Sequence, residues 1–145
     1  MNLIDILNQA WGWSGLDAVD VVAENDFGNL LIEAADGSYW RLCPEDLRCE
    51  LIAPARAQLD AILENQDFLH DWYMQDLGQV ARDKLGELAN DDKFYLQTPA
   101  PLGGDYAADN LGRIALPELV LLSGELARRH KPTAIDELLA MATPR

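Results

Sequence analysis

The fold is decided by residues 29–53, which read NLLIEAADGSYWRLCPEDLRCELIA. Apolar, β-branched and aromatic residues are concentrated there in three runs, at 29–34, 38–43 and 48–53. Such runs, separated by turn signals, are typical of consecutive antiparallel strands. Asp36-Gly37 predicts a type I′ hairpin turn, which needs positive φ at both central residues. With a valine-rich run at 19–22 before them, these segments predict an antiparallel meander of three or four strands.

Helical spacing appears before and after this meander. Apolar residues of the N-terminal segment recur at helical intervals, which predicts a short amphipathic helix over residues 2–11. In the second half, Pro54 is placed to open a helix. Asn65 or Asp67 can cap a longer helix that continues through Gly78 and ends between Leu88 and Asp92, with an apolar stripe formed by Leu69, Trp72, Val80, Leu85 and Leu88.

The remaining segments complete the prediction. Residues 93–104 begin with strand-like aromatics, but two prolines and a glycine pair favour an extended surface passage. Pro117 marks a further helix start, and residues 135–141 predict a last short helix. The inward-facing residues expected there are Leu116, Leu119, Val120, Leu122 and Leu126. We therefore predict a single α+β domain over residues 1–145, with the helical C-terminal half packed on the sheet.

The charge of the chain is strongly negative and unevenly distributed. Eleven Lys and Arg against 25 Asp and Glu give a net charge of −14. Residues 1–72 hold 14 acids and 3 bases, a balance of −11, while residues 73–145 hold 11 acids and 8 bases, a balance of −3. Direct nucleic-acid binding is disfavoured because phosphate recognition needs cations. A charged partner is expected to be basic, and the alternative is that the charge serves solubility alone.

Cysteine usage and hydropathy indicate a cytoplasmic protein. Cys43 and Cys49 do not form a disulfide framework, which favours a reducing compartment. The N-terminal segment has no Lys or Arg and therefore lacks the basic region of a secretory signal. No apolar window reaches the roughly 18 residues of a membrane span, so no membrane association is predicted.

Catalytic and metal-binding motifs are weak. His70 or His130 could approach a cysteine in the fold, but a structural role for both cysteines is favoured, and two remote histidines do not complete a zinc ligand pattern. Gly103-Gly104 lacks the Lys-Ser/Thr of a phosphate-binding loop, so turn geometry explains this pair better. Residues 24–28 lack the ligand spacing of a calcium loop, so a hairpin turn explains that segment better. We predict no catalytic residue, no metal and no cofactor. A small carboxylate-based hydrolase is the least favoured class.

Two groups of acids are the predicted partner-binding residues. Four of them fall at i, i+4, i+7 and i+11, which on a continuous helix places them within about 60° of arc: Asp60, Glu64, Asp67 and Asp71. The alternative is that the helix breaks at Asn65-Gln66, leaving Asp67 as a cap and Asp71 in a first turn. The second group precedes the first basic residue of the chain and comprises Asp17, Asp20, Glu24 and Asp26. Nearby aromatics are either binding hot spots or core residues: Trp13, Tyr39, Tyr73 and Tyr106.

Three stretches resemble a known family: FGNLLIEAADGSYWRLCPEDLRCELIA at 27–53, DWYMQDLGQVARDKLGEL at 71–88 and LGGDYAADNLGRIALPELVLLSGELA at 102–127. They are similar to the C-terminal domain of type VI secretion immunity proteins, including those paired with DNase effectors. The match rests on Tyr39-Trp40-Arg41-Leu42 and on three ordered triplets, Lys84-Leu85-Gly86, Leu102-Gly103-Gly104 and Asp109-Asn110-Leu111. The resemblance implies a cytoplasmic antitoxin that binds and blocks a cognate effector without chemistry of its own. The alternative function is an acidic regulatory or scaffold module for another basic protein.

Overall fold

The computed structural model describes residues 2–130. Helix α1 is Leu3–Trp11, and Asn2 caps it by accepting a 2.9 Å hydrogen bond from the Asp5 amide. The sheet follows, with β1 at Ala18–Glu24, β2 at Leu30–Ala34, β3 at Tyr39–Cys43 and β4 at Arg48–Ala53. The second half contains α2 at Arg56–Leu63, α3 at Gln66–Tyr73, α4 at Gln75–Leu85, β5 at Asp92–Leu96, β6 at Leu111–Ala115 and α5 at Leu116–His130. None of the described helices is long and apolar enough to cross a membrane.

Strands β1 to β4 form one antiparallel sheet in the order of the chain, which confirms the predicted meander. Alternation along β2 sends Leu30 and Ile32 to one face and Leu31 to the other. The first face packs against α1 and α5, where Leu7 and Val120 are fully buried. The opposite face packs against α2 and α3 through residues including Ala53, Leu59 and Trp72. The sheet is therefore covered by helices on both sides.

The hairpin between β2 and β3 forms where it was predicted, but its turn type differs. Gly37 has φ of 86°, whereas Asp36 is not among the residues with positive φ. The Gly37 amide donates to Ala34 O at 3.0 Å, and the Ala34 amide donates to Ser38 O at 2.8 Å. Only the glycine takes the left-handed conformation, so the predicted type I′ turn is wrong. The Asp36 carboxylate instead accepts a 3.0 Å bond from the Ser38 amide.

The long helix predicted from residue 65 or 67 to residue 88 is wrong, because it is two helices. Met74 has φ of 47° and ψ of 44°, and this left-handed residue separates α3 from α4. The Asn25 side chain donates to Trp72 O at 2.8 Å. The Asn25 amide therefore occupies the Trp72 carbonyl, which in a continuous helix would accept a bond from a backbone amide of the next turn. Val80, assigned to the apolar stripe, is 39% exposed.

A second, two-stranded sheet was not predicted. β5 pairs antiparallel with β6, and with α4 it encloses a separate core around Phe27 and Phe94. The Phe94 amide donates to Asp26 O at 2.9 Å, which attaches this sheet to the β1–β2 loop. The predicted extended passage at 93–104 is wrong, because residues 93–96 belong to β5 and Ala100–Leu102 form a short 3-10 helix. On α5, Leu122 is 40% exposed, contrary to the prediction that it faces inward. The predicted helix at 135–141 lies outside the described residues.

Candidate protein-binding surface

The first group of predicted acids does not lie on one helix. Asp60 belongs to α2, Glu64 is its C-cap, and Asp67 and Asp71 belong to α3. Asn65 separates the two helices, because its side-chain oxygen accepts a 3.0 Å bond from the Phe68 amide. The break at Asn65-Gln66 is thus the correct alternative, with Asn65 as the cap and Asp67 in the first turn. The placement of Asp71 in that first turn is wrong, since it precedes the last two residues of α3.

Half of the predicted acids form ion pairs with the chain's own cations. The pairs are Arg41–Asp71 at 2.9 Å, Arg56–Asp60 at 2.9 Å, Lys93–Glu24 at 2.8 Å and Arg82–Asp26 at 3.1 Å. Glu24 and Asp26 thereby hold β5 and α4 against the first hairpin. Four others are exposed and have no ion pair among residues 2–130: Asp17, Asp20, Glu64 and Asp67. These four carboxylates are available to a cationic partner.

Strand β1 is an edge strand with two irregularities. Its register against β2 skips one residue between Ala18 and Asp20 and another between Val21 and Ala23. The skipped residues, Val19 and Val22, are 49% and 40% exposed. Bulges of this kind protect an edge from pairing with another strand, because they interrupt the regular row of backbone donors and acceptors. The acids at Asp17 and Asp20 therefore lie beside an edge that is poorly suited to strand addition.

Arg41 links the sheet to α3 and organises the polar interior of this region. Its guanidinium lies 5.5 Å from the ring centroid of Phe68 and 5.2 Å from that of Trp72. Nη1 donates to Asp71 Oδ2 at 2.9 Å, and Nη2 donates to Asn29 Oδ1 at 3.0 Å. The arginine side chain is 12% exposed, whereas that of Asp71 is 70% exposed. The cation is thus largely buried and holds an accessible carboxylate in place.

Asn29 connects Arg41 to a buried carboxylate. Its Nδ2 donates to both oxygens of Glu45, at 3.1 and 2.8 Å. Burial raises the pKa of Glu45 to about 7, and the hydrogen bond from Asn29 acts in the opposite direction. Glu45 lies in the short turn between β3 and β4, directly before Asp46. This network fixes the turn against the sheet.

The cysteines are poor candidates for nucleophilic chemistry. Ligand atoms of Cys43, Glu45 and Asp46 lie within 4.8 Å of one another. Burial raises the pKa of Cys43 to about 12, which disfavours the thiolate that a nucleophile needs. Burial also raises the pKa of Cys49 to about 12, although this residue and His130 line one groove. Both thiols are free, and the described geometry favours the structural role.

A concave surface lies at the junction of α3 and α4. We call it the α3–α4 groove; its volume is about 470 Å³, and it is lined by His70, Asp71, Met74, Asp76, Leu77, Val80 and Tyr106. Tyr106, which comes from the loop between β5 and β6, is 49% exposed. Its hydroxyl donates to Asp46 Oδ1 at 2.6 Å. Burial and this contact raise the pKa of Tyr106 above its usual range, so the phenol stays protonated.

The predicted aromatics divide between core and surface. Tyr39 is 5% exposed and belongs to the core. Trp13, Tyr73 and Tyr106 are exposed, and Trp13 stacks on Trp11 with ring centroids 5.6 Å apart. Asp76 is not among the site residues predicted from the sequence. The i, i+4 relation of Asp76 and Val80 is a signal that both residues share one face of α4.

Exposed carboxylates surround half-exposed apolar and aromatic side chains on a sheet that helices cover. This combination is typical of the surface of a protein that binds another protein. More particularly, the chain belongs to a family of type VI secretion immunity proteins. The family model described as T6SS immunity protein Tdi1, C-terminal, matches residues 53–127, which are 75 of the 145 residues. This match confirms the resemblance, and it spans the α3–α4 groove. No curated protein matches the chain.

Proposed function

We propose that this protein neutralises a cognate type VI secretion effector by forming a stoichiometric complex with it, without turnover of its own. Membership of the immunity family carries the proposal. The effector is expected to be basic, and a nuclease is the favoured type because an acidic protein can occupy a groove that otherwise binds phosphates.

The charge distribution supports a basic partner. The net charge is −14, and Asp17, Asp20, Glu64 and Asp67 remain exposed without a cation among the described residues. Uncompensated exposed carboxylates speed the encounter with a positively charged surface and are screened by salt. We include all eight predicted acids in the contact surface. These four have no cation of their own and can pair with cations of the effector, whereas Glu24, Asp26, Asp60 and Asp71 contribute negative charge while they keep their ion pairs within the chain.

The state of the two cysteines supports a cytoplasmic location. Cys43 and Cys49 are free and have raised pKa values, which suits a structural role in a reducing compartment. We therefore propose that the complex forms in the cytoplasm, where a nuclease effector would meet its substrate.

Co-expression with the cognate type VI effector tests the proposal. We expect growth to be rescued, and we expect the purified pair to remain together through gel filtration. The matched control is an unrelated type VI effector, which should stay toxic. Rescue without any complex at micromolar concentration would contradict the stoichiometric mechanism. Equal binding to unrelated basic proteins would favour the acidic scaffold module. Enzymatic turnover that co-purifies with the chain and is lost on changing one carboxylate would favour an enzyme.

A further inference from the structure

The α3–α4 groove combines apolar walls with acidic groups at its rim. Met74, Leu77 and Val80 contribute aliphatic surface, and Val80 is 39% exposed. Asp71 and Asp76 contribute carboxylates. Exposed apolar surface in a shallow groove of this kind can hold an interface hot spot, because a partner side chain that packs there loses part of its contact with water.

The groove is held in shape from several directions. The left-handed Met74 sets the angle between α3 and α4, and the Asn25 bond to Trp72 O fixes the end of α3. The Gly78 amide donates to Met74 O at 2.8 Å, which closes the first turn of α4. The hydroxyl bond of Tyr106 to Asp46 holds the tyrosine at the opposite side. A preformed cavity costs a partner less ordering entropy than one assembled on binding.

The two carboxylates are available in different ways. Asp71 uses Oδ2 for Arg41, and its side chain is 70% exposed. Asp76 lies in the first turn of α4, is exposed, and forms no ion pair among residues 2–130. An acidic side chain entering the groove would be repelled by both groups. A purely apolar side chain would cover Asp76 without compensating its charge, which is costly.

We propose that the α3–α4 groove receives an arginine side chain of the effector. The methylene groups would pack against Leu77 and Val80, and the planar guanidinium would bond Asp76 and the second oxygen of Asp71 beside the Tyr106 ring. Arginine suits this surface because it combines an apolar stem, donors for two carboxylates and a face that stacks on aromatic rings. The inference rests on the proposed function and identifies an anchoring contact for that complex.

The groove can be tested with two double variants, each of which neutralises one exposed carboxylate and replaces one exposed aliphatic residue by threonine. The groove variant is Asp76→Asn with Val80→Thr. The control variant is Glu87→Gln with Leu122→Thr, and both of these residues are exposed and lie outside the predicted contact residues. The probe is the toxin domain of the cognate effector, inactivated by mutation. We expect the groove variant to dissociate about 10- to 100-fold faster, whereas the control stays within about twofold of wild type.

Effector variants identify the occupant. Each arginine at the effector interface is replaced by methionine, and its effect is measured with wild type and with Asp76→Asn. One arginine should lose most of its effect when Asp76 is already neutral, as coupled partners do in a double-mutant cycle. Equal dissociation of the groove and control variants, or coupling to no arginine, would overturn this inference while the immunity function stands. If wild type forms no complex with the toxin domain, the proposed function and the inference both fail.

Discussion

Arg41 Nη1 lies 2.9 Å from Asp71 Oδ2, although the two residues are 30 positions apart and belong to β3 and α3. The pair is asymmetric, since the arginine is largely buried beside the stacked rings of Phe68 and Trp72 while the aspartate is mostly in solvent. Arg41 thus contributes packing as well as charge. Because Asp71 is mostly in solvent, water can partly replace its ion pair with Arg41 when the aspartate is changed.

Replacing Arg41 by Ala should lower the free energy of unfolding by about 2–4 kcal/mol. The change removes the contact with Phe68 and Trp72, and it leaves the Oδ1 atom of Asn29 without the hydrogen bond that Arg41 donates. Asp71→Asn should cost less than about 1 kcal/mol, since that side chain is exposed. Urea unfolding measures both. Arg56→Ala is the control, because Arg56 and Asp60 are both more than half exposed and their loss should leave stability close to wild type. Equal losses for Arg41→Ala and Asp71→Asn would contradict the asymmetry.

Glu45 should make the protein less stable as the pH rises from 5 to 8. Its folded pKa, raised to about 7 by burial, lies above the roughly 4.3 expected in the unfolded chain. The unfolded state therefore loses its proton first, and the stability contributed by protonated Glu45 is lost as pH rises through the folded pKa. The loss should be about 2–3 kcal/mol over this range.

Urea unfolding of wild type and Glu45→Gln across that pH range isolates this contribution. The glutamine can still accept a bond from Asn29 but cannot ionise, so its stability should fall less and should exceed that of wild type at pH 8. Glu50→Gln, a neutralisation at an exposed position of β4, is the control and should follow the wild-type profile. Parallel curves for wild type and Glu45→Gln would show that Glu45 does not titrate in this range.

Two helical glycines should respond in opposite directions to alanine. A Cβ at Gly124 would lie 2.5 Å from the Ala10 carbonyl oxygen, where α1 and α5 meet, so Gly124→Ala should cost about 1–3 kcal/mol. A Cβ at Gly78 would first meet the guanidinium of Arg82 at 3.2 Å, and that flexible side chain can shift. Gly78→Ala should therefore be neutral or stabilise by up to about 1 kcal/mol, because alanine favours a helix interior. Urea unfolding of the two variants compares them, and equal losses would refute the close helix contact.

The carboxylates at the junction of α2 and α3 should affect the rate of complex formation. Neutralising Glu64 and Asp67 together should slow association with the inactivated toxin domain by about 3- to 10-fold at low salt, and the difference should shrink at high salt. The matched control neutralises Glu87 and Asp91, which are also exposed and have no ion pair among residues 2–130. Stopped-flow mixing measures both rates. Identical slowing by the two pairs would mean that net charge, not position, governs the encounter.

The meander was predictable because its determinants are local. Alternation in residues 29–53 and the turn signal at Asp36-Gly37 are visible in the sequence and predict the order of β2, β3 and β4. The break at Met74 was not predictable by the same means, because the Asn25 side chain that takes the Trp72 carbonyl is 47 positions away. β6 was missed because it contains Gly112 and Arg113 and has no apolar alternation, so its strand character depends on pairing with β5.

For the candidate surface too, local features could be predicted from the sequence and contacts between distant residues could not. Exposed acids could be selected from composition and spacing, and Asn65 carried a recognisable capping signal. Their pairing could not be read from the sequence, since Lys93 reaches Glu24 across 69 positions and Arg82 reaches Asp26 across 56. The groove also depends on distant elements, because Tyr106 is held by Asp46 from the β3–β4 turn. Proximity in the fold, not proximity in the chain, defines these contacts.

The packing of α1 against α5 has a consequence for how the protein is made. The core on that face of the sheet combines Leu7 and Trp11 with Leu116 and Val120, so α1 has its principal helical neighbour more than 100 positions later in the chain. Until α5 has been synthesised, the apolar face of α1 and the adjoining face of the sheet lack that cover and are exposed to chaperones and proteases. The proposed inhibition would then begin only after α5 has been made, and products that terminate before α5 would be degraded rather than act as weak inhibitors.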